Sequence, residues 1–241
     1  MKRLSRKDID AIGMRIFEAY KKLPQLQGKT IYNVNPELLC SDLLGLHLDY
    51  QHLSLDRSIL GLTSFTEYGI EVFENDDSEA FYYLDGKTVL VERDLKNDIT
   101  MRGRCNFTIA HEAGHQIFKM MYPREYGAGT DSRTHFYKVG SHSKQPIEDW
   151  EEWQTNTLAS CTLLPKELIE QAMFYFGFNT KVGILNKVFA PKEYNRFSAM
   201  AEFLGSSVKA LAIRMKQLGL LEKEYLDNPY EIVDIEVFPY G

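Results

Sequence analysis

Two histidines and a glutamate near the middle of the chain have the residue types and spacing of a metal-dependent hydrolytic site. They belong to the pentapeptide His-Glu-Ala-Gly-His, in which His111 and His115 are four residues apart. On an α-helix this spacing places both imidazoles on one face, where they can bind one Zn²⁺ ion. Glu112 follows the first histidine, and its carboxylate can accept a proton from an attacking water. We therefore predict His111 and His115 as metal ligands and Glu112 as the catalytic residue.

The residues around this motif predict a buried helix over residues 101–121, which Pro123 ends. The helix has a broad apolar surface, as expected for an element in the core. Gly114 is unfavourable inside a helix by about 1 kcal/mol relative to alanine. Its presence indicates that another segment or a substrate comes close at this point. The alternative interpretation of the motif is two surface histidines that are satisfied by neighbouring polar groups.

A third metal ligand is expected, because a catalytic zinc commonly has three protein ligands and one open position. The next predicted helix, residues 148–163, contains Glu152 and Asn156 on one face. Glu152 could bind the metal while Asn156 supports a ligand by hydrogen bonding. An acidic cluster that favours the helix N-terminus is the alternative role for the neighbouring carboxylates. The competing carboxylates are Glu148, Asp149 and Glu151.

The two motifs together resemble those of the ImmA/IrrE metallopeptidases, which are zincins with an HExxH motif and a later glutamate ligand. Here the motifs read FTIAHEAGH, residues 107–115, and EWQTNTLASCTLLP, residues 152–165. Alignment on Asn156 and Pro165 assigns the third zinc ligand to Glu152. The positions that carry the chemistry match the family pattern. The departures from it are Ala113 for leucine, Thr155 for alanine, Leu158 for phenylalanine and Leu164 for methionine.

This resemblance, which covers residues 38–165, implies a cytoplasmic zinc endopeptidase. It also implies a protein substrate, a helix-turn-helix transcriptional repressor of a mobile element or a stress regulon. No residue of this chain indicates that substrate class independently of the resemblance. The alternative function is a non-catalytic module that zinc stabilises and that binds a regulator.

Around the motif helix, the sequence predicts an α+β fold that is zincin-like. We expect a small, twisted, mainly antiparallel sheet packed on the HExxH helix, within a metallopeptidase domain of residues 1–170. Asp85-Gly86 is a strong two-residue hairpin signal between the last two strands. The predicted helices before the sheet span residues 5–23 and 36–44. The predicted strands span residues 46–53, 60–66, 70–74, 79–84 and 88–92.

Residues 126–145 are rich in small and polar side chains and are predicted to form a long loop. Long loops are often functional, so His135, Tyr137 and His142 are candidates for stabilising a developing oxyanion. The alternative for each of them is a solvated loop residue. His47 and His52 lie in the first predicted strand, where histidines satisfied within the sheet are expected.

Residues 171–241 are predicted to form a mostly helical C-terminal region. Residues 194–221 have the pattern of a helix-turn-helix pair, with the turn at residues 204–206. Such a pair can read DNA, pack on the rest of the chain, or dock a partner. The resemblance and the acidic tail favour packing or partner docking. Residues 231–238 could add a late edge strand.

The composition narrows the class of protein. A net charge of −6, from 28 basic and 34 acidic residues, argues against general binding to nucleic acid. The three cysteines are widely spaced, so no disulfide framework is expected. No apolar run approaches the about 20 residues of a membrane helix, and no secretory signal is evident. We therefore expect a cytoplasmic protein without a membrane partner.

Overall fold

The computed structural model describes residues 3–75, 78–126, 134–138 and 146–233, and its architecture is α+β as predicted. The helices are α1 (Arg6–Tyr20), α2 (Pro36–Leu38), α3 (Arg93–Asn97), α4 (Arg102–Met121), α5 (Pro146–Leu163), α6 (Lys166–Tyr175), α7 (Pro191–Phe203) and α8 (Val208–Gln217). The strands are β1 (His47–Gln51), β2 (Ile59–Ser64), β3 (Glu67–Asn75), β4 (Ser78–Asp85), β5 (Thr88–Glu92), β6 (Thr134–Lys138), β7 (Val182–Leu185) and β8 (Leu221–Glu224). A π-helical turn, Leu39–Leu43, extends α2.

A mixed four-stranded sheet in the order β1-β5-β2-β6 supports the motif helix. β5 runs parallel to β1 and antiparallel to β2, and β2 pairs antiparallel with β6. All five residues of β5 are buried, as expected for a strand with neighbours on both sides. β3 and β4 form a separate antiparallel hairpin, and β7 pairs in parallel with β8. The structure thus divides the predicted single sheet into two, and the sheet that contains β5 is mixed.

The predicted hairpin at Asp85-Gly86 is wrong, because β4 pairs with β3 while β5 lies in the four-stranded sheet. The turn itself forms: Gly86 has a φ of +80°, and the Asp85 carboxylate accepts hydrogen bonds from the backbone N–H of Lys87 and the hydroxyl of Thr88. A local turn signal does not determine which strands pair. The position between β1 and β2 buries all the apolar residues of β5, and this burial favours it over pairing with β4.

The four-stranded sheet is covered on both faces. On one face, the side-chain amide of Gln116 on α4 donates to the Thr63 hydroxyl and to the carbonyl of Ser64 on β2. On the other face, Leu62 and Leu90 pack against the inward side chains of the β3–β4 hairpin. The sheet therefore holds α4 from one side while the hairpin shields the opposite side.

α1 and α5 complete the packing around α4. Ser5 caps α1 within a capping box formed with Asp8. Gln154 on α5 accepts a hydrogen bond from the backbone N–H of Leu4, which ties the N-terminal segment to α5. The predicted long loop is partly wrong, because Thr134–Lys138 form β6 at the sheet edge. Residues 134–138 form a strand because they pair with β2, although their own sequence is only weakly periodic.

In the C-terminal region, α7 and α8 form the predicted helix pair, with Gly205 at a φ of +70° in the turn and Ser207 as the N-cap of α8. α8 buries one face in the main apolar cluster. That cluster draws residues from both sides of position 170, which lies within α6. Residues 229–233 form a 3₁₀ turn where the start of a strand was predicted, and residues 234–238 lie outside the described part. The carbonyl of Pro229 accepts a hydrogen bond from the side-chain amide of Asn186.

The three cysteines are buried and free, in agreement with the prediction of no disulfide framework. Burial raises the pKa of Cys40 and Cys161 to about 12 and that of Cys105 to about 11. Among the described residues, no helix is both long enough and apolar enough to cross a bilayer.

Candidate metal centre

The two motif histidines lie side by side on the buried face of α4. Both are almost completely inaccessible, with exposed fractions of 0% for His111 and 1% for His115. Their Nε2 atoms are 3.0 Å apart, and the rings meet edge to face. The four-residue spacing on a helix therefore places both donor nitrogens in the same small volume, as the sequence predicts.

Glu152 on α5 faces this pair of nitrogens. Its carboxylate oxygens lie 3.3 Å from Nε2 of His111 and 3.4 Å from Nε2 of His115. Tetrahedral zinc with bonds of about 2.0–2.1 Å to nitrogen and oxygen places neighbouring donor atoms about 3.3 Å apart. The three separations in this cluster match that requirement without any rearrangement of the backbone. His111, His115 and Glu152 could therefore hold a zinc ion, with the fourth position left for a substrate or water.

The other ring nitrogens of the two histidines contact polar groups from neighbouring segments. Nδ1 of His111 lies 3.1 Å from Oδ1 of Asn156, and Nδ1 of His115 lies 2.5 Å from the hydroxyl of Tyr126. With protons on Nδ1, each ring donates to its oxygen partner and keeps the Nε2 lone pair for a metal. The Tyr126 hydroxyl is also 3.1 Å from Oγ1 of Thr155, to which it can donate. This pattern fixes the ring orientation and the tautomer that metal binding needs.

Gly114 lets α5 approach α4 closely enough for these contacts. A Cβ atom at this position would lie 3.0 Å from Cγ2 of Thr155, tighter than most packing contacts. The prediction that another segment comes close to Gly114 is confirmed, and that segment is α5. A side chain at position 114 would push away the helix that carries Glu152 and Asn156.

Glu112 faces β2 and is completely buried. Neither of its carboxylate oxygens has a hydrogen-bond partner among the described residues. Burial raises the pKa of the Glu112 carboxyl well above its ordinary value, and the negative charge of Glu152 raises it further. Gly61 on β2 makes room for this carboxylate, because a Cβ there would lie 2.7 Å from its Oε1 atom. Burying a carboxylate without a hydrogen-bond partner lowers the stability of the fold. We therefore expect Glu112 to have a chemical role.

The predicted site residues are distributed as follows. His111, His115, Glu112, Glu152 and Asn156 come together at the interface of α4 and α5. His142 and the side chains of His135, Tyr137, Glu148 and Asp149 lie outside the described part, and Glu151 is buried on α5.

The two histidines near the first strand have carboxylate partners of their own. Nδ1 of His47 lies 3.0 Å from Asp85, and Nδ1 of His52 lies 2.6 Å from Glu92. The donor atoms of His52, Glu92 and Asp94 are close enough to hold a metal ion. However, Glu92 already accepts hydrogen bonds from the backbone N–H groups of Leu53 and Asp94. Histidines satisfied within the sheet region, as predicted, explain this second cluster.

Sequence reasoning missed three residues that shape the site: Tyr126, Thr155 and Gly61. Tyr126 follows the end of α4 in a turn that has no periodic pattern. Thr155 stands out in the sequence only because it occupies the position where the ImmA/IrrE pattern has alanine. Gly61 lies within a predicted strand, and an isolated glycine in a strand signals a close approach of another group. That signal alone could have indicated contact between β2 and α4.

No protein-family model matches the chain, and no curated protein matches it either.

Proposed function

We propose that this protein is a zinc-dependent endopeptidase with a zincin-like fold. In this proposal, His111, His115 and Glu152 hold the zinc ion and Glu112 is the catalytic base. The observation that carries the proposal is the arrangement of three donor atoms 3.0–3.4 Å apart beside a fully buried carboxylate that has no hydrogen-bond partner among the described residues. The resemblance to the ImmA/IrrE metallopeptidases supports the same assignment.

The chemistry divides between the ion and the side chains. A bound Zn²⁺ ion supplies Lewis acidity, which makes water more acidic and polarises the scissile carbonyl. Glu112 accepts the proton of the attacking water and then delivers it to the leaving amine. Because Glu112 is desolvated, its carboxylate is a stronger base than one in water. Asn156 and Tyr126 hold the two imidazoles in a fixed orientation throughout.

A zinc site that only stabilised the fold is the alternative, and Glu112 argues against it. A structural zinc site needs only its ligands. It gives no function to the buried carboxylate of Glu112, which is not one of them. Burying such a group without a hydrogen-bond or ion-pair partner lowers stability. Glutamine at position 112 would avoid the buried charge with nearly the same shape. The presence of an acid therefore favours catalysis.

The substrate that we propose is a helix-turn-helix transcriptional repressor, as the resemblance implies, and the proposed location is the cytoplasm. The C-terminal helix pair is not proposed to read DNA. On α8, Leu211, Ala212, Arg214 and Met215 are buried. Arg214 makes an ion pair of 2.7 Å with Asp10 of α1 and therefore serves packing between α8 and α1.

The decisive experiment compares E112Q with the wild type for zinc content and for cleavage of a purified helix-turn-helix repressor. E112Q should retain one zinc per chain and lose cleavage, because it keeps the shape of the side chain and removes the base. E152Q serves as the matched control and should lose both zinc and cleavage. Full activity of E112Q would refute its role as base. A wild-type protein that holds zinc but leaves the repressor intact would refute the proposed substrate.

A further inference from the structure

The β3–β4 hairpin presents a face that no other described segment covers. Its outward cross-strand pairs are Glu67 with Asp85, Gly69 with Tyr83, Glu71 with Phe81, and Phe73 with Glu79. The exposed fractions are 81% for Phe81 and 67% for Tyr83. Aromatic side chains with this exposure, placed next to each other on one strand face, are typical of interaction surfaces. We define these eight residues as the outer face of the hairpin.

The other side of the same hairpin is a conventional apolar contact. Ile70, Val72 and Leu84 are buried against Leu62 and Leu90 of the four-stranded sheet. This anchoring holds the hairpin in place without any help from the aromatic side chains of the outer face. Phe81 and Tyr83 are therefore not needed to anchor the hairpin, and we assign them a role in binding.

All the charged side chains of the hairpin region are negative. Residues 58–86 contain seven acidic residues and no lysine or arginine. Removing these seven from the 34 acidic residues of the chain leaves 27, against 28 basic residues, so the segment carries the entire negative excess. The seven acidic residues are Glu67, Glu71, Glu74, Asp76, Asp77, Glu79 and Asp85.

The outer face is open beside Tyr83. A Cβ atom at Gly69, the cross-strand partner of Tyr83, would meet nothing within 4 Å. The Tyr83 hydroxyl donates to Glu67 across the hairpin at 3.0 Å, which places a carboxylate beside the ring. An exposed aromatic ring with carboxylates around it is suited to a cationic or long apolar side chain.

We propose that the outer face of the hairpin docks a positively charged protein segment that carries apolar side chains. Lysine or arginine would lie over the Phe81 and Tyr83 rings and pair with the surrounding carboxylates. A symmetric contact with a second copy of this chain would bring two negative faces together, which is unfavourable. Nucleic acid and anionic membranes carry negative charge and are repelled for the same reason. Charge complementarity therefore selects a basic protein partner.

This inference does not depend on zinc chemistry. The hairpin packs on the sheet face opposite to α4, so its outer face is separate from the metal centre. Docking can therefore be measured by binding alone, and a failure of docking is distinguishable from a failure of cleavage. In an endopeptidase, such a surface would give affinity for a basic protein substrate through contacts remote from the cleaved bond.

The test is fluorescence anisotropy with a labelled 12-residue peptide of alternating arginine and leucine, with the full chain as the receptor. The matched variants are F81A and F174A, whose phenylalanines are 81% and 82% exposed on different surfaces. F81A should weaken binding about tenfold, as expected for an aromatic anchor, and F174A should leave it unchanged. E71Q should weaken binding and reduce its dependence on salt.

Three kinds of result would contradict the proposed docking. Equal binding by F81A and the wild type would exclude the outer face as the docking site. Equal binding of a peptide with glutamate in place of arginine would exclude charge selection. Binding of a 20-base-pair DNA duplex, of phosphatidylglycerol vesicles, or of a second copy in sedimentation, if lost in F81A, would assign the face to a different partner.

Discussion

The hydroxyl of Tyr126 lies 2.5 Å from Nδ1 of His115 and 3.1 Å from Oγ1 of Thr155, so one tyrosine joins α4, the turn after it and α5. Tyr126 is completely buried. Burial raises the pKa of its hydroxyl well above the ordinary value, and this keeps a proton available for the bond to Thr155. The contact holds the His115 ring with Nε2 directed at the neighbouring donors. Tyr126 is therefore a positioning residue of the proposed zinc site.

Substitution Y126F should weaken zinc binding about 10–100-fold, the usual effect of removing a hydrogen-bond partner of a metal ligand. The ring remains and continues to pack on Phe118, so the metal-free protein should lose only about 1 kcal/mol of unfolding free energy. Competition with a zinc-sensitive dye measures the affinity. Y122F is the control, since it removes a hydroxyl from the same apolar cluster without a contact to either histidine. Equal affinities for Y126F and the wild type would contradict the positioning role.

Removing zinc should lower the thermal stability of the protein. A ligand present at 100 times its Kd stabilises the folded state by about 2.7 kcal/mol. For a chain of this size, that difference corresponds to about 5–10 °C in Tm. Calorimetry before and after dialysis against a chelator measures the change, and added zinc should restore the original Tm. E152Q should show no response to zinc. A wild-type Tm that is independent of zinc would contradict metal binding at this cluster.

Substitution R214M should destabilise the fold by breaking the contact of α8 with α1. Arg214 pairs with Asp10 at 2.7 Å and donates to the carbonyl of Leu164. The Asp10 side chain is 30% exposed, so a loss of about 2–3 kcal/mol is expected, below the about 3–5 kcal/mol of a fully buried pair. Urea unfolding measures this loss of unfolding free energy. K209M is the control on the same helix, because its ion pair with Asp227 is exposed, and its midpoint should not change. Equal midpoints for both variants would show that α8 is not anchored through Arg214.

How much of this arrangement could be predicted depends on how local its cause is. The side-by-side placement of His111 and His115 follows from helical spacing alone. The caps at Ser5 and Ser207 are also local, since each side chain bonds within its own first turn. The contact of Tyr126 with His115 could not be predicted, because it requires the path of the chain after α4.

Strand pairing was the least predictable feature for the same reason. Asp85-Gly86 forms its turn, but β5 pairs with residues of β1 and β2 that lie 26 to 41 residues earlier in the chain. The pairing of β6 with β2 likewise depends on the exposed edge of a distant strand. Burial of β5 on all sides outweighs the local hairpin preference, and burial of this kind is a property of the whole fold.

Stability should fall as the pH rises above about 9, because the folded state holds three thiols protonated. Burial raises the pKa of Cys105 to about 11 and that of Cys40 and Cys161 to about 12, compared with about 8.5 in an unfolded chain. Between these values the unfolded state has lost protons that the folded state keeps, so the unfolding free energy decreases with pH. Each thiol contributes about 1.4 kcal/mol per pH unit in this window. Urea unfolding from pH 8 to 10.5 measures the slope, and replacing all three cysteines with alanine should make it shallower. An unchanged slope would contradict the assignment.

Substitution G61A should abolish cleavage while leaving zinc in place. The added methyl group would lie 2.6 Å from Cγ2 of Thr108 and 2.7 Å from Oε1 of Glu112, so β2 must move away from α4 or the carboxylate must turn. Overpacking of this kind lowers stability by about 1–3 kcal/mol. G183A is the matched control, since a Cβ there meets nothing within 4 Å and should change stability by less than about 0.5 kcal/mol. Zinc content, Tm and repressor cleavage are measured together. Because the atoms nearest to the added methyl group belong to Thr108 and Glu112 and not to the proposed zinc ligands, normal zinc with lost cleavage would separate the position of the base from the integrity of the metal site. Full cleavage by G61A would show that the site does not depend on where β2 holds Glu112.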